Sequence, residues 1–161
     1  MDRRANTKAF LIAAAVAVLD QITKTLALEN LSTLVPERIV GDYLRFVLKF
    51  NEGAAFSLSW GGPVVLVVLT ALAAVAVIVA IFRWHGRTPA ETAGLGLVLG
   101  GAVGNLIDRL FRGWRVVDFI DMGFGDHRWP TYNVADIAIT CGALLMVLMH
   151  RDAGRDKDVR S

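Results

Sequence analysis

The chain has 161 residues, of which 55% are hydrophobic, and its formal net charge at neutral pH is only +2. Its mean hydropathy of +0.50 lies well above the usual range of soluble domains. Composition therefore excludes an ordinary soluble globular protein, and the small net charge gives no reason to expect nucleic-acid binding. The single Cys141 excludes an internal disulfide and a multi-cysteine metal site. Because small apolar residues surround it in sequence, we expect a packed core thiol.

Four apolar segments make up most of the chain. A hydrocarbon core of about 30 Å needs about 20 mostly apolar residues in a helix. The segments come close to that length and run over about residues 10–28, 64–82, 93–111 and 132–149. We expect a mainly α membrane protein, a single domain over residues 1–161, with four transmembrane helices and a small extracytoplasmic β-rich platform.

The distribution of Lys and Arg predicts the orientation. Nine of them lie in the two tails and the middle loop, against six in the other two loops. Because cytoplasmic loops are enriched in Lys and Arg, both termini are expected in the cytoplasm. The basic N-terminal tail also resembles a secretory signal, but the apolar run is long and contains Asp20 and Lys24, which argues against cleavage.

The two loops on the other side predict the platform. Residues 43–50 alternate between apolar and charged or aromatic positions, as a half-exposed strand does, and residues 116–120 indicate a short extended piece. Asn51 and Gly53 begin a turn of small residues, 51–57, that can bring backbone close to a ligand. In the third segment Gly96, Gly100 and Gly104 recur every four residues, which predicts close helix packing.

Ionisable and amide residues interrupt three of the segments near one membrane face. They are Asp20 and Lys24 in the first, Asn105, Asp108 and Arg109 in the third, and Asp136 in the fourth. Charge inside hydrocarbon is costly, so such residues are functional candidates. Asp108 equally suits a residue that merely marks the membrane interface. Asp20 and Lys24 are spaced to pair with each other, which favours a structural or substrate-orienting role.

Asp118 and Asp136 are the candidates for chemistry. Asp118 precedes the fourth segment and Asp136 lies about one turn inside it, so the two can meet at the outer boundary. Carboxylates in close approach share a proton, and one then acts as base towards water while the other acts as acid. Each has a simpler alternative: Asp136 as a first-turn acid behind an Asn133 N-cap, and Asp118 as an ordinary loop acid like Asp121 and Asp126.

Five sequence blocks together resemble the lipoprotein signal peptidase family, also called signal peptidase II. The blocks are Asp20-Gln-Ile-Thr-Lys24, residues 51–57 (NEGAAFS), residues 101–109 (GAVGNLIDR), residues 116–119 (VVDF) and residues 133–136 (NVAD). They occur in the family's order and cover all four segments and both outer loops. One residue more than the family pattern lies between Gly113 and Val116, which puts the shape of that loop in doubt.

The resemblance implies a metal-free aspartic endopeptidase of the bacterial inner membrane that needs no cofactor. Its substrates would be diacylglyceryl-modified prolipoproteins, cut immediately before the lipidated cysteine, and the cyclic peptide globomycin would inhibit it. Carried over by motif, Asp118 and Asp136 are the catalytic pair. The substrate-binding or supporting positions are Asp20, Lys24, Asn51, Gly53, Gly104, Asn105, Arg109, Asn133 and Ala135. We expect a monomer in contact with membrane lipid.

Two other classes of protein share some of these features. A small proton-coupled transporter also uses intramembrane acids paired with Lys or Arg. Against it, the polar residues cluster at one depth and the second segment offers nothing to continue a path across the membrane. A structural subunit would use its acids only to hold helices together. Only a peptidase needs both Asp118 and Asp136 and yields a shorter product.

Overall fold

Four helices form the body of the protein in a computed structural model that describes residues 2–53 and 62–158. They are α1 (Arg3–Asn30), α2 (Gly62–Arg83), α3 (Pro89–Phe111) and α4 (Val134–Asp158). Within the described residues, three helical stretches are long and apolar enough to cross a membrane: Arg3–Asn30, Val64–Arg83 and Pro89–Phe111. The apolar part of α4, Val134–Met149, is shorter than these. The expectation of four spans of similar length is therefore supported for three.

Capping residues explain why α1 and α3 begin before their apolar segments do. Asp2 caps α1 by accepting a hydrogen bond from the Ala5 amide at 3.1 Å. Thr88 and Glu91 form a reciprocal capping box at the start of α3, with Pro89 in the first turn. Side chains that satisfy the free amides of a first turn extend a helix into polar sequence. The helices therefore begin before residues 10 and 93, where the apolar segments start.

A four-stranded antiparallel sheet lies at one end of the helices. Its strands are β1 (Glu37–Val40), β2 (Leu44–Asn51), β3 (Val116–Phe124) and β4 (His127–Arg128), in the order β1-β2-β3-β4. The strand predicted at 43–50 is confirmed as β2. The extended piece predicted at 116–120 continues to Phe124, because β3 turns back into β4.

The sheet is fixed to the start of α4 by backbone hydrogen bonds. Tyr132 accepts from the amides of Phe119 and Ile120 at 3.0 and 2.8 Å, and its own amide donates to the Ile120 carbonyl at 3.1 Å. α1 and α3 end at the sheet and α4 begins there, so the sheet closes that end of the bundle. Asp118 on β3 is thereby brought to the first turn of α4. Of the turn predicted at 51–57, residues 54–57 lie outside the described part of the chain.

Helix α3 is the central helix and contacts α1, α2 and α4. Glycines make the approach close, as the spacing predicted. A Cβ on Gly100 would lie 2.6 Å from the Ala13 carbonyl oxygen of α1, and a Cβ on Gly101 would lie 2.4 Å from the Ala135 carbonyl oxygen of α4. Contacts this short leave no room for any side chain. The bundle therefore depends on small residues at these positions.

Cys141 is exposed rather than packed in the core, so that expectation was wrong. It shares the outer face of α4 with Leu144 and Leu148, which are also more than half exposed. In a helix surrounded by lipid, apolar neighbours in sequence do not distinguish an interior face from a lipid-facing one.

Gly100→Ala is expected to destabilise the bundle, because the added methyl group overlaps the α1 backbone. Overpacking of this kind typically costs about 1–3 kcal/mol, which thermal unfolding in detergent will detect as a lower Tm. Ala73→Val on the exposed face of α2 adds more volume and is expected to leave the Tm nearly unchanged. Equal effects from the two substitutions would contradict this account of the packing.

Candidate active site

Asp118 is held by two amide side chains from different parts of the fold. It lies on β3 with only 2% of its surface exposed. Asn51, the last residue of β2, donates from Nδ2 to Oδ2 of Asp118 at 3.0 Å, and Asn133 donates from Nδ2 to Oδ1 at 2.7 Å. The Asn51 Oδ1 accepts from the Gly53 amide at 3.0 Å, which turns the Asn51 Nδ2 towards the carboxylate. Asp118 is therefore a buried, fully oriented carboxyl group, not an ordinary loop acid.

Asp136 lies in the first turn of α4 and is half-buried. Its Oδ2 accepts from the Asn133 backbone amide at 3.2 Å, while Oδ1 of Asn133 accepts from the Asp136 amide at 3.0 Å. The predicted N-cap is thus present. Asp136 makes a further interaction outside this cap, because Asn105 on α3 donates from Nδ2 to Oδ1 of Asp136 at 2.8 Å.

Asn133 connects the two aspartates. Its side-chain nitrogen binds Asp118, and its backbone amide and side-chain oxygen bind Asp136. Burial and, after it, the nearby charge of Asp136 raise the pKa of Asp118 to about 6, against the hydrogen bonds from Asn51 and Asn133 and the charge of Lys24. The charge of Asp136 thus favours a proton on Asp118, as expected for carboxyl groups that lie close together.

A second polar cluster lies directly behind the pair. Lys24 Nζ binds Oδ2 of Asp20 at 2.8 Å, Oδ2 of Asp108 at 2.9 Å and Oδ1 of Asn105 at 2.9 Å. Asp20, Lys24 and Asp108 are all fully buried. The predicted pairing of Asp20 with Lys24 is confirmed, while Asp108 is part of the interior and not a marker of the interface.

Two small residues make room for this cluster. A Cβ on Gly104 would lie 2.5 Å from Oδ2 of Asp20, so only glycine leaves space for that carboxylate. Ala135 is fully buried, and its amide donates to Oδ1 of Asp20 at 2.9 Å. The supporting positions carried over from the sequence blocks thus share one contiguous network, apart from Arg109.

Arg109 lies on α3 beside the pair, within electrostatic range of both aspartates. Its Nε is buried and has no hydrogen-bond partner among residues 2–53 and 62–158. No hydrogen bond joins it to Asp118 or Asp136 in that part of the chain.

Sequence reasoning missed Gln21 and underrated Asp121. Gln21 donates from Nε2 to Oδ1 of Asp108 at 3.0 Å and to the Gly104 carbonyl at 3.1 Å. Asp121 is buried between Arg45 and Arg128, with ion-pair distances of 2.7 and 3.1 Å. Burial opposes ionisation of Asp121, but these two partners outweigh it and lower its pKa. The position of Arg45 directly opposite Asp121 on the neighbouring strand could have revealed this ion pair. That position follows only from the register between β2 and β3, which the sequence did not give.

The connection from α3 to β3 contains the extra residue noted in the sequence. Gly113 and Trp114 both have left-handed backbone, with φ of 66° and 67°. The Trp114 amide donates to the Arg109 carbonyl at 3.1 Å, which closes the turn against the helix end. β3 begins directly after this turn, at Val116, with Asp118 two residues later.

A cavity of about 760 Å³ opens beside Asp136. Aromatic and apolar side chains dominate its wall, and two basic residues of the β3–β4 hairpin lie at its rim. It is lined by Tyr43, Met122, Gly123, His127, Arg128, Trp129, Tyr132, Asp136, Ile137, Thr140 and Cys141. The cavity therefore joins a candidate catalytic group to the exposed side of α4, and an amphiphilic ligand suits its lining.

Helices of membrane length with two aspartates at one end, one buried and one half-buried and both bound by Asn133, fit the class of membrane aspartic peptidases. Comparison with known proteins gives the family. The family model described as "Signal peptidase (SPase) II" matches residues 12–151. The chain belongs to the signal peptidase II family, which consists of aspartic peptidases.

Individual relatives agree with the family model. The lipoprotein signal peptidase of Rhodococcus jostii (strain RHA1) is 43% identical over 148 residues, covering 87% of this chain and 70% of the relative. That of Chlorobium phaeobacteroides (strain BS1) is 40% identical over 153 residues, covering 88% and 94%. A solved bacterial membrane enzyme superposes with a TM-score of 0.84 at 26% identity, covering 92% of this chain and 90% of the other.

The raised pKa of Asp118 predicts a pH-dependent stability difference between wild type and Asp118→Asn. The folded-state pKa of about 6 exceeds the ordinary 3.8, so ionisation opposes folding. The protonated Asp118 does not oppose folding below about pH 4. As the pH rises through 6, its ionisation lowers the free energy of unfolding by about 3 kcal/mol. Asp118→Asn removes this loss. Denaturant unfolding at pH 4 and pH 8 in detergent should give a wild-type decrease that the variant lacks; parallel pH profiles would contradict the assignment.

Proposed function

We propose that this protein removes signal peptides from diacylglyceryl-modified prolipoproteins, cutting before the lipidated cysteine, with Asp118 and Asp136 as the catalytic pair. The observation that carries the proposal is the bridging of both carboxylates by Asn133 at the sheet-covered end of the helices. Membership of the signal peptidase II family supplies the reaction class. The relatives named lipoprotein signal peptidase supply the class of substrate.

The different burial of the two aspartates suggests how they divide the work. Burial favours the proton on Asp118, which leaves the more exposed Asp136 as the base. Asp136 takes a proton from a water molecule while the oxygen of that water attacks the scissile carbonyl carbon. At the same time Asp118 donates its proton to the carbonyl oxygen. When the tetrahedral intermediate collapses, Asp136 protonates the leaving amine and Asp118 recovers a proton from the hydroxyl group. Both carboxyl groups then return to their starting states.

The surrounding polar groups bind and orient. Asn51 and Asn133 hold Asp118, and Asn105 and Asn133 hold Asp136, so neither carboxyl group needs to reorganise during the reaction. The guanidinium of Arg109 is available for a carbonyl of the substrate backbone. Gly53 lies two residues after the end of β2, and among residues 2–53 and 62–158 no atom lies within 4 Å of an added Cβ, which would allow an extended peptide to approach there.

The cavity beside Asp136 is the place for the lipid-modified cysteine. Its wall along Ile137, Thr140 and Cys141 leads from Asp136 onto the outer face of α4, where acyl chains can enter from the bilayer. Trp129 and Tyr132 have the amphipathic character that suits the headgroup level. Globomycin, a lipophilic cyclic peptide, is expected to compete for the same space.

The positions of the helix ends support the expected topology. The sheet and the aspartate pair lie where α1 and α3 end and where α2 and α4 begin, and the basic tails lie at the opposite end. Lys and Arg placement then assigns the tails to the cytoplasm and the site to the outer face of the inner membrane. In this arrangement α4 is the fourth span, and the chain acts as a monomer.

The transporter alternative finds little support in the geometry. The buried ionisable groups Asp20, Lys24 and Asp108 lie in one cluster next to the aspartate pair. The core between α1, α2 and α3 below it consists of Ala9, Ala13, Ala74, Ile81, Leu95, Leu99 and Ala102. A proton path across the membrane needs polar groups at successive depths, but the buried residues of α1 between Asn6 and Asp20, and those of α3 between Thr92 and Asn105, are all apolar.

Asp118→Asn and Asp136→Asn are each expected to reduce cleavage by at least about 100-fold, since a proton-transfer group typically contributes 10²–10⁴-fold. The assay follows the gel shift of a diacylglyceryl-modified prolipoprotein in liposomes, with a chelator present throughout. Asp126→Asn makes the same change at an exposed site on the β3–β4 turn and should cleave at the wild-type rate. Wild-type cleavage by either of the first two variants would refute the catalytic pair.

Alkylation of Cys141 is expected to block cleavage, because the thiol lies on the cavity wall that leads to Asp136. It is the only cysteine in the chain, so labelling is specific. A bulky maleimide should reduce the rate at least about tenfold, while Cys141→Ser should cleave normally and resist the reagent. If the fully labelled wild type cleaves as fast as the unlabelled enzyme, the lipid-modified cysteine is bound elsewhere.

A further inference from the structure

Lys24 joins two carboxylates that come from different helices. Its Nζ lies 2.8 Å from Oδ2 of Asp20 on α1 and 2.9 Å from Oδ2 of Asp108 on α3. All three side chains are fully buried, so solvent does not weaken the contacts. A buried ion pair is held rigidly because any movement leaves a charge uncompensated.

Each of these carboxylates also binds the backbone amide next to one of the proposed catalytic residues. Asp20 Oδ1 accepts from the amide of Ala135, the residue before Asp136, at 2.9 Å. Asp108 Oδ2 accepts from the amide of Val117, the residue before Asp118, at 3.0 Å. The same arrangement therefore occurs twice, once on α4 and once on β3, with Lys24 between the two.

We propose that Asp20, Lys24 and Asp108 form a clamp that sets the separation of the Asp118 and Asp136 backbones. The clamp residues are positioning residues, because they touch the backbone beside the pair and not the reacting atoms. This inference rests on the proposed function, in which that separation is the distance between base and acid. It assigns a role to Asp108 and makes Lys24 a spacer, beyond its pairing with Asp20.

Asn105 extends the clamp to the side-chain level. Its Oδ1 accepts from Lys24 Nζ at 2.9 Å and from Asn133 Nδ2 at 3.2 Å, which turns its Nδ2 to Asp136. With two donors at the oxygen, the amide of Asn105 cannot flip without losing both bonds. Lys24 therefore controls the rotation of the Asp136 carboxylate as well as the spacing of the backbones.

Two further partners of Asp108, outside the clamp, complete its hydrogen bonding and make the net charge of the cluster zero. Arg112 pairs with Oδ1 of Asp108, and Gln21 donates to the same atom at 3.0 Å. Two carboxylates and two cations balance in this interior. A network with only a structural role also needs its charges balanced. It does not need both carboxylates to accept hydrogen bonds from the backbone amides next to Asp118 and Asp136.

Release of the clamp is expected to lower kcat and spare KM. Lys24→Met keeps most of the length of the side chain and removes the bridging charge, and a displacement near 1 Å at reacting groups costs about 100-fold in rate. We expect a 10- to 100-fold lower kcat with KM changed less than about threefold. Arg87→Met is the matched control, since Arg87 binds the Ile81 and Trp84 carbonyls and Thr92 at the opposite helix ends. It should lower the Tm without lowering kcat.

An isosteric pair at position 108 keeps the test valid if Lys24→Met unfolds. Asp108→Asn retains an oxygen for the Val117 amide and Lys24, whereas Asp108→Leu retains none. The asparagine variant should keep at least about tenfold more kcat than the leucine variant in fractions that are equally folded by circular dichroism. Equal kcat values for the two would overturn the proposal.

The coupling between the two aspartates gives a readout that does not depend on activity. Infrared titration of the Asp118 carboxyl band measures its pKa in wild type and Asp136→Asn, with and without Lys24→Met. The charged groups facing Asp118 are Asp136, Arg109, Lys24 and its cross-strand neighbour Lys49. If Lys24 is a spacer, the pKa shift caused by Asp136→Asn becomes smaller in the Lys24→Met background.

The possible results separate the clamp from the proposed function. If Lys24 contributes only its charge, Lys24→Met raises the pKa of Asp118, and the shift caused by Asp136→Asn stays the same; that result overturns the clamp. Wild-type cleavage by Asp118→Asn or Asp136→Asn refutes the catalytic pair instead, and the infrared coupling still reports whether Lys24 sets their spacing.

Discussion

The burial of the Lys24 charge is the constraint on which the rest of the site depends. An isolated cation in a membrane interior costs several kcal/mol, and it is tolerated only with close acceptors. Lys24 has three, from Asp20, Asp108 and Asn105, all within 2.9 Å. To bring these acceptors together, α1 and α3 must pack at one fixed register. The glycines of α3 permit that register, because a side chain at Gly100 or Gly104 would collide with α1.

The aspartate pair is assembled from two kinds of secondary structure. Asp118 belongs to a strand and Asp136 to a helix, and Asn133 binds both at the point where the chain passes from sheet to helix. A strand paired on one side by β2 is a rigid carrier for a buried carboxyl group. A helix N-terminus is in turn a favourable place for a carboxylate. The two settings differ in exposure, and this difference separates the acid from the base in the proposed mechanism.

Much of the fold followed from simple patterns in the sequence. The apolar segments predicted the helices, alternation predicted β2, and glycine spacing predicted the close packing of α3. Two departures from these patterns have identifiable causes. The helices extend beyond their apolar segments because Asp2 and the Thr88–Glu91 capping box carry helix into polar sequence. Cys141 was assigned to the core because an apolar helix face gives no sign of whether protein or lipid covers it.

The candidate site was predictable in its residues but not in its connections. The sequence blocks contained Asp118, Asp136 and their asparagine partners, and local spacing was enough to expect the Asn133 cap and the Asp20–Lys24 pair. These interactions span at most four residues, so the helical repeat alone determines them. What only the tertiary structure decided are the contacts across elements: Asp108 on the Val117 amide, Asp20 on the Ala135 amide and Asp121 between Arg45 and Arg128. Such contacts depend on how helices and strands are placed against one another, and that placement arises from packing over the whole chain.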